Sequence, residues 1–207
     1  MIKTILLYDN KDATLGMFFE LCADKFRHLH NVIYKQDIST EHNSDNCKKT
    51  TIESVLSAYN SSNFLFVSFL HGSEDAMYVS SEEIVSANNA HFFKNAFCYT
   101  FSCYCGKKLS NILLKNDVGV FWGYKDKAYS CHGYEDDFAE LAVLGLTHFL
   151  QEDSIDSAFI KAKEAYTKKA DDLYKDNMLV AAYLLHNRDS MIIEGNKYMT
   201  VSDFTIK

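Results

Sequence analysis

The chain has 207 residues, of which 47% are apolar, 14% aromatic and 24% charged. This composition is typical of a globular protein with a sizeable core, and the longest apolar run, residues 64–70, is too short to cross a bilayer. The formal charge of -7 would repel a phosphate backbone. We therefore expect no membrane insertion and no nucleic-acid partner.

The first nine residues lack the charged leader, long apolar stretch and cleavage site of a secretory signal. The six cysteines are accordingly expected to be free thiols in a reducing cytoplasm. The sequence has no internal repeat, low-complexity tract or linker, so a single domain over residues 1–207 is predicted.

The first 60 residues predict one strand-helix-strand unit followed by a loop and a helix. Residues 4–8 are an apolar strand, residues 12–29 have apolar side chains at helical spacing, and residues 32–38 can form a second strand. Residues 40–49 are polar and predict an exposed loop, which leads into a helix around residues 51–59. Cys47 is expected to be exposed in that loop.

Three later runs are almost continuously apolar, as central parallel strands buried on both faces are. They cover residues 64–70, 97–102 and 118–122. Beyond Tyr134 the pattern becomes helical, and residues 191–195 can supply a final strand. The predicted fold is α/β, with a mostly parallel central sheet of about five to six strands covered by helices.

The ends of two of these strands carry reactive side chains. The run at 64–70 is followed by His71-Gly72, and the run at 97–102 is followed by Cys103 and a helix predicted at residues 107–114. Open parallel sheets bind ligands at the carboxyl ends of their strands. If the two strands are neighbours, His71 and Cys103 emerge at the same edge.

A thiol and an imidazole at one edge can act as nucleophile and base. The helix after Cys103 is expected to lower the pKa of its thiol. Gly72 has no side chain, so its backbone N–H can approach a substrate and form an oxyanion hole together with the N–H of Cys103. Cys105 competes as nucleophile but lies two residues into the turn.

A zinc site is the main alternative use of these residues, because thiolates and imidazole are ligands that zinc prefers. The candidate ligands are Cys98, Cys103, Cys105, Cys131 and His132. The spacing is unfavourable, since Cys98 falls inside a predicted strand and no second close cysteine pair exists. We predict no metal, and we expect His132 to lie in a loop.

The two strand ends resemble those of caspase-like cysteine peptidases of clan CD, and most closely the CHAT group, which is related to separase. The nucleophile segment of that group reads Ala-Cys-x-x-Gly; here residues 102–106, Ser-Cys-Tyr-Cys-Gly, keep the Cys and the Gly. The similarity covers roughly residues 63–195. It implies a caspase-like three-layer sandwich.

The resemblance also implies roles for individual residues. His71 would be the general base, Cys103 the nucleophile, and Asp126 the acid of a pocket for a Lys or Arg side chain before the scissile bond. The neighbouring Lys125 and Lys127 could instead neutralise Asp126.

The function implied is a cytoplasmic cysteine endopeptidase that needs no cofactor and forms a thioester intermediate. Such a thiol protease would serve bacterial or antiviral defence or cell-death signalling, for example by activating a gasdermin-like pore former. Its trigger would be a separate protein, self-association, or self-cleavage within residues 40–49 or 125–133. The alternative is a non-catalytic module that holds a peptide or a partner domain in the same cleft.

Overall fold

A computed structural model describes residues 2–59 and 62–205, and within them the strands form a large and a small sheet. In chain order the strands are β1 (Thr4–Tyr8), β2 (Thr40–Asn43), β3 (Phe64–Phe69), β4 (His71–Gly72), β5 (Met77–Val79), β6 (Glu82–Val85), β7 (Ala96–Phe101), β8 (Val120–Tyr124) and β9 (Met191–Gly195).

The α-helices alternate with these strands until the last third of the chain, which is mostly helical. They are α1 (Gly16–Tyr34), α2 (Lys49–Tyr59), α3 (Leu109–Leu114), α4 (Glu135–Leu150), α5 (Ile155–Leu173) and α6 (Met178–Ser190). Over the residues described, none of these helices has the length and apolar character needed to span a membrane.

The large sheet has six strands in the order β2-β1-β3-β7-β8-β9. All neighbouring pairs are parallel except β8 with β9, which is antiparallel. This confirms the predicted α/β class, and the mostly parallel sheet flanked by helices is consistent with a caspase-like three-layer sandwich. The final strand at residues 191–195 is also confirmed.

The sheet separates two apolar layers because successive side chains of a strand point to opposite faces. Residues such as Leu6, Val67, Tyr99 and Trp122 pack with helices α1, α4, α5 and α6 in the first layer. Their sequence neighbours pack with α2, α3 and the small sheet in the second layer. Burial on both faces explains why the central strands are almost continuously apolar.

The prediction for residues 32–38 is wrong, because helix α1 continues to Tyr34 and the strand comes later, at Thr40–Asn43. Lys35 ends the helix in the left-handed conformation, with φ 51°. Strand β2 pairs only with β1 at the edge of the sheet, so its half-buried positions accept polar residues. Glu41, for example, accepts hydrogen bonds from Arg27 and from the hydroxyl of Tyr8.

The small sheet β4-β5-β6 was not predicted. After His71-Gly72 the chain reverses through a turn in which the N–H of Ser73 donates to the carbonyl of Ala76 at 2.9 Å. This sheet helps to cover the second layer, where Cys47 is also buried, contrary to expectation. Burial raises the pKa of the Cys47 thiol to about 12.

Candidate active site

The register of β3 against β7 brings the two reactive strand ends to the same level. The pairing runs residue for residue from Phe64 opposite Ala96 to Phe69 opposite Phe101. His71 and Cys103 therefore each lie two residues beyond the last pair. The hydroxyl of Ser102 donates to the carbonyl of Leu70 at 2.9 Å, which extends the alignment past the strands. The expectation that the two strands are neighbours is confirmed.

Gly72 brings the two segments into contact. A Cβ atom at this position would lie 2.5 Å from the carbonyl oxygen of Cys103, 2.6 Å from Sγ of Cys105 and 2.9 Å from Cβ of Ser102. Separations this short are excluded for real atoms, so only glycine allows the backbone after β3 to rest against the turn after β7. This contact places the backbone that follows His71 against the turn that carries Cys103.

His71 and Cys103 lie on the same face of the sheet. The His71 and Phe19 rings pack edge to face, with centroids 5.5 Å apart, and Cys103 packs against the same first apolar layer. Cys105 belongs to the second layer, is fully buried, and donates its thiol to the carbonyl of Ala76 at 3.6 Å. The geometry favours Cys103 over Cys105 as the accessible thiol.

The Cys103 thiol is held by the backbone of Ala128. The N–H of Ala128 donates to Sγ at 3.4 Å, and Sγ lies 3.7 Å from the carbonyl oxygen of the same residue. Burial raises the pKa of Cys103, although the Ala128 N–H and the charge of Lys127 oppose that rise. The expected lowering by a helix is wrong, because α3 begins only at Leu109. A resting thiol with this pKa needs a base to become a nucleophile.

The His71 imidazole is held by Asp12, a residue that sequence reasoning did not select. Nε2 of His71 lies 3.0 Å from Oδ2 of Asp12, in the loop between β1 and α1. Partial burial would raise the pKa of Asp12, but the N–H groups of Leu15 and Thr14 and the His71 side chain together lower it. The sequence does place an acid in the loop after the first strand, and that strand pairs with β3, which His71 follows.

The two side chains are not joined in this conformation. No hydrogen bond between the His71 ring and the Cys103 thiol occurs among the bonds of the described residues; their partners are Asp12 and Ala128, respectively. The fold places both groups at one edge and on one face, each held by a different loop.

The turn after Cys103 is strained and reaches Asp126. Tyr104 has a left-handed backbone with φ 63°, which is unfavourable for a residue with a bulky side chain. Its N–H donates to the carbonyl of Asp126 at 3.1 Å. Asp126 is exposed, and its carboxylate accepts the N–H of Lys127. Within residues 2–59 and 62–205, Asp126 forms no ion pair with Lys125 or Lys127.

The loop that carries Asp126 and Ala128 is fastened to helix α6. The buried Asn187 side chain accepts the N–H of Tyr129 at 2.8 Å and donates to the carbonyl of Tyr129 at 2.7 Å. The Tyr129 ring also stacks on Tyr183, with centroids 4.5 Å apart. These contacts fix the backbone that holds the Cys103 thiol.

A cleft lies at the same end of the sheet, between the start of α1 and the segment before α4. Its volume is about 230 Å³, and its walls include Leu15, Phe18 and Glu135. Glu135 accepts from the N–H of Gly133 at 2.8 Å and pairs with the exposed His132 ring at 2.9 Å. His132 therefore lies in a loop, as predicted.

The alternative zinc ligands do not converge. Cys98 and Cys105 are buried in the second layer, whereas Cys103 and Cys131 pack against the first, so the sheet separates the thiols. In the part of the chain that the structure describes, no three or more Cys, His, Asp or Glu side chains are grouped as metal ligands would be.

Comparison with known proteins adds no relative: no protein-family model and no curated protein sequence matches this chain.

Gly72→Ala tests the contact between the two segments. The added methyl meets the backbone oxygen of Cys103, so we expect a loss of about 1–3 kcal/mol in the free energy of unfolding, measured by urea denaturation. The double variant with Cys105→Ala removes the sulfur but not the oxygen, and should recover only part of this loss. Full recovery would show that the thiol, not the backbone, is the constraint.

The raised pKa of Cys103 predicts slow alkylation near neutral pH. Because the thiolate is the reacting species, carbamidomethylation by iodoacetamide should increase with a midpoint above the ordinary thiol pKa of about 8.5. The rate is measured by peptide mass spectrometry, with the half-buried Cys131 as an internal comparison. A rate at Cys103 that is already maximal at neutral pH would contradict the prediction.

Proposed function

We propose that this protein is a cysteine endopeptidase in which Cys103 is the nucleophile and His71 the general base. The observation that carries the proposal is the close contact of Gly72 with the Ser102–Cys105 turn, which leaves the two reactive groups at one edge and on one face of the sheet. A single Cys or His is common in proteins, whereas a thiol and an imidazole at one edge and on one face of a sheet support a nucleophile and a base of one site.

In the proposed reaction His71 takes the Cys103 proton as Sγ attacks the carbonyl carbon of the scissile peptide. The oxyanion that forms accepts hydrogen bonds from the backbone N–H groups of Gly72 and Cys103. The C–N bond then breaks, and the imidazolium returns its proton to the leaving amine. Water, deprotonated by His71, hydrolyses the thioester to release the carboxylate and restore the thiol.

The substrate we propose is a protein cut after a Lys or Arg residue. The support is the exposed carboxylate of Asp126, which is hydrogen-bonded through its backbone to the turn after Cys103 and is not paired with its lysine neighbours in the described structure. The ammonium of Lys127 instead lies 5.1 Å from the centre of the Tyr129 ring. A gasdermin-like pore former in bacterial defence is the protein substrate that the family resemblance suggests.

The proposed roles of Cys103 and His71 are tested by peptide cleavage with variants of the full chain. Cys103→Ala and His71→Ala should each lower the rate on a fluorogenic peptide library by at least roughly 10³-fold, because each removes a group from the reacting centre. Cys105→Ala and Cys131→Ala should retain most of the wild-type rate. Thermal unfolding of each variant separates a lost reaction from a lost fold.

A lysyl acyloxymethyl ketone gives an independent test on the same protein. This electrophile should modify Cys103 much faster than the other five thiols, with His71→Ala slowing that modification. Uniform or absent labelling, together with no cleavage by the folded wild type, would overturn the enzyme proposal in favour of the non-catalytic binding module.

Asp126→Asn tests the proposed pocket. Losing the carboxylate removes a charge-assisted bond, so kcat/KM should fall by about 10- to 100-fold for peptides with Lys or Arg before the cut. Peptides with an uncharged residue there should be affected much less. Glu135→Gln removes another carboxylate at the same end of the sheet and is the matched control. If kcat/KM fell by the same factor for both peptide classes, or did not fall, Asp126 would not be the pocket acid.

A further inference from the structure

Asp12 and His71 meet at the point where the strand order of the sheet reverses. Strand β1 leads outward to β2, whereas the chain after β3 continues in the opposite direction to β7 and β8. Asp12 follows β1 and His71 follows β3, so the two side chains face each other across the crevice between these neighbouring strands. Ligand sites of open α/β sheets occur at this crevice.

The Asp12 carboxylate is held in a fixed orientation by its own loop. Oδ1 accepts the N–H of Thr14 at 2.9 Å and the N–H of Leu15 at 2.7 Å. The backbone carbonyl of Asp12 also accepts the N–H of Gly16, at 3.0 Å, where helix α1 begins. These bonds leave Oδ2 directed at Nε2 of His71, 3.0 Å away.

A carboxylate can only accept hydrogen bonds, so the nitrogen that faces Asp12 must carry the hydrogen. In neutral His71 the proton is then on Nε2, and Nδ1 is left with the free lone pair. The Phe19 ring packs edge to face with the imidazole, with the ring centroids 5.5 Å apart.

We infer that Asp12 is a positioning residue that fixes the Nε2–H tautomer of His71 and thereby makes Nδ1 the atom that receives the Cys103 proton. This inference rests on the proposed peptidase function. When Nδ1 takes the proton, both ring nitrogens carry hydrogen, and the negative charge of Asp12 stabilises the imidazolium. No proton moves to Asp12 in any step.

Two substitutions of Asp12 distinguish positioning from structural support. Asp12→Asn keeps an oxygen that can accept the N–H groups of Thr14 and Leu15, but it places an amide NH₂ against Nε2 of His71. An NH₂ donor requires Nε2 to accept, so the ring takes the Nδ1–H form and loses its base. Asp12→Ala removes the turn acceptor as well, yet leaves the tautomer unconstrained.

The expected order of the variants is therefore opposite for stability and for turnover. Asp12→Asn should be the more stable of the two in urea denaturation and the less active. We expect its kcat to fall by roughly 10²- to 10⁴-fold with KM nearly unchanged. Asp12→Ala should lose no more than about 100-fold. Asp75→Asn, an exposed carboxylate on the turn after β4, is the control that should leave kcat unchanged.

The tautomer is read directly by long-range ¹H–¹⁵N correlation spectra of histidine-labelled protein at about pH 9, where an ordinary imidazole is neutral. His71 should be in the Nε2–H form in the wild type and shift towards the Nδ1–H form in Asp12→Asn. This readout does not need a substrate, so it separates the inference from the proposed function. The same tautomer in both proteins, or a kcat order that follows stability, would overturn the role of Asp12.

Discussion

The candidate site depends on one backbone contact, the packing of Gly72 against the turn that follows Cys103. Strands β3 and β7 pair residue for residue, so the two strands end at the same level of the sheet. The segments that follow them approach so closely at residue 72 that even a methyl group would overlap the carbonyl oxygen of Cys103. The glycine is therefore required for packing, whether or not its N–H also binds a substrate.

The alternation of side chains along the strands determines which thiol is available. Cys103 continues the odd-numbered positions of β7, which pack in the layer of helices α1 and α4, and so shares a face with His71. Cys105 follows a turn with a left-handed residue and ends in the other layer, where burial raises the pKa of its thiol well above the ordinary value. A difference of two residues thus separates a half-buried reactive group from a core side chain.

Two loops that belong to different parts of the fold control the acid–base properties of the site. The loop after β1 presents Asp12 to the imidazole, and the loop after β8 presents the Ala128 backbone to the thiol. Burial keeps the proton on Cys103, while hydrogen bonds keep Asp12 ionised, so the resting site contains a neutral thiol and a charged acid.

The sequence by itself predicted the central strands and the neighbouring strand ends that carry His71 and Cys103. Buried parallel strands are continuously apolar, and residues that directly follow them lie at the carboxyl edge of the sheet. It did not identify β2 or the small sheet, because edge strands and short hairpins have half-buried polar residues that look like loops. Asp12, the Ala128 contact and the raised pKa of Cys103 were decided only by the tertiary structure. Each depends on which groups from distant parts of the chain surround a side chain and on how much water they exclude from it. The local sequence specifies neither.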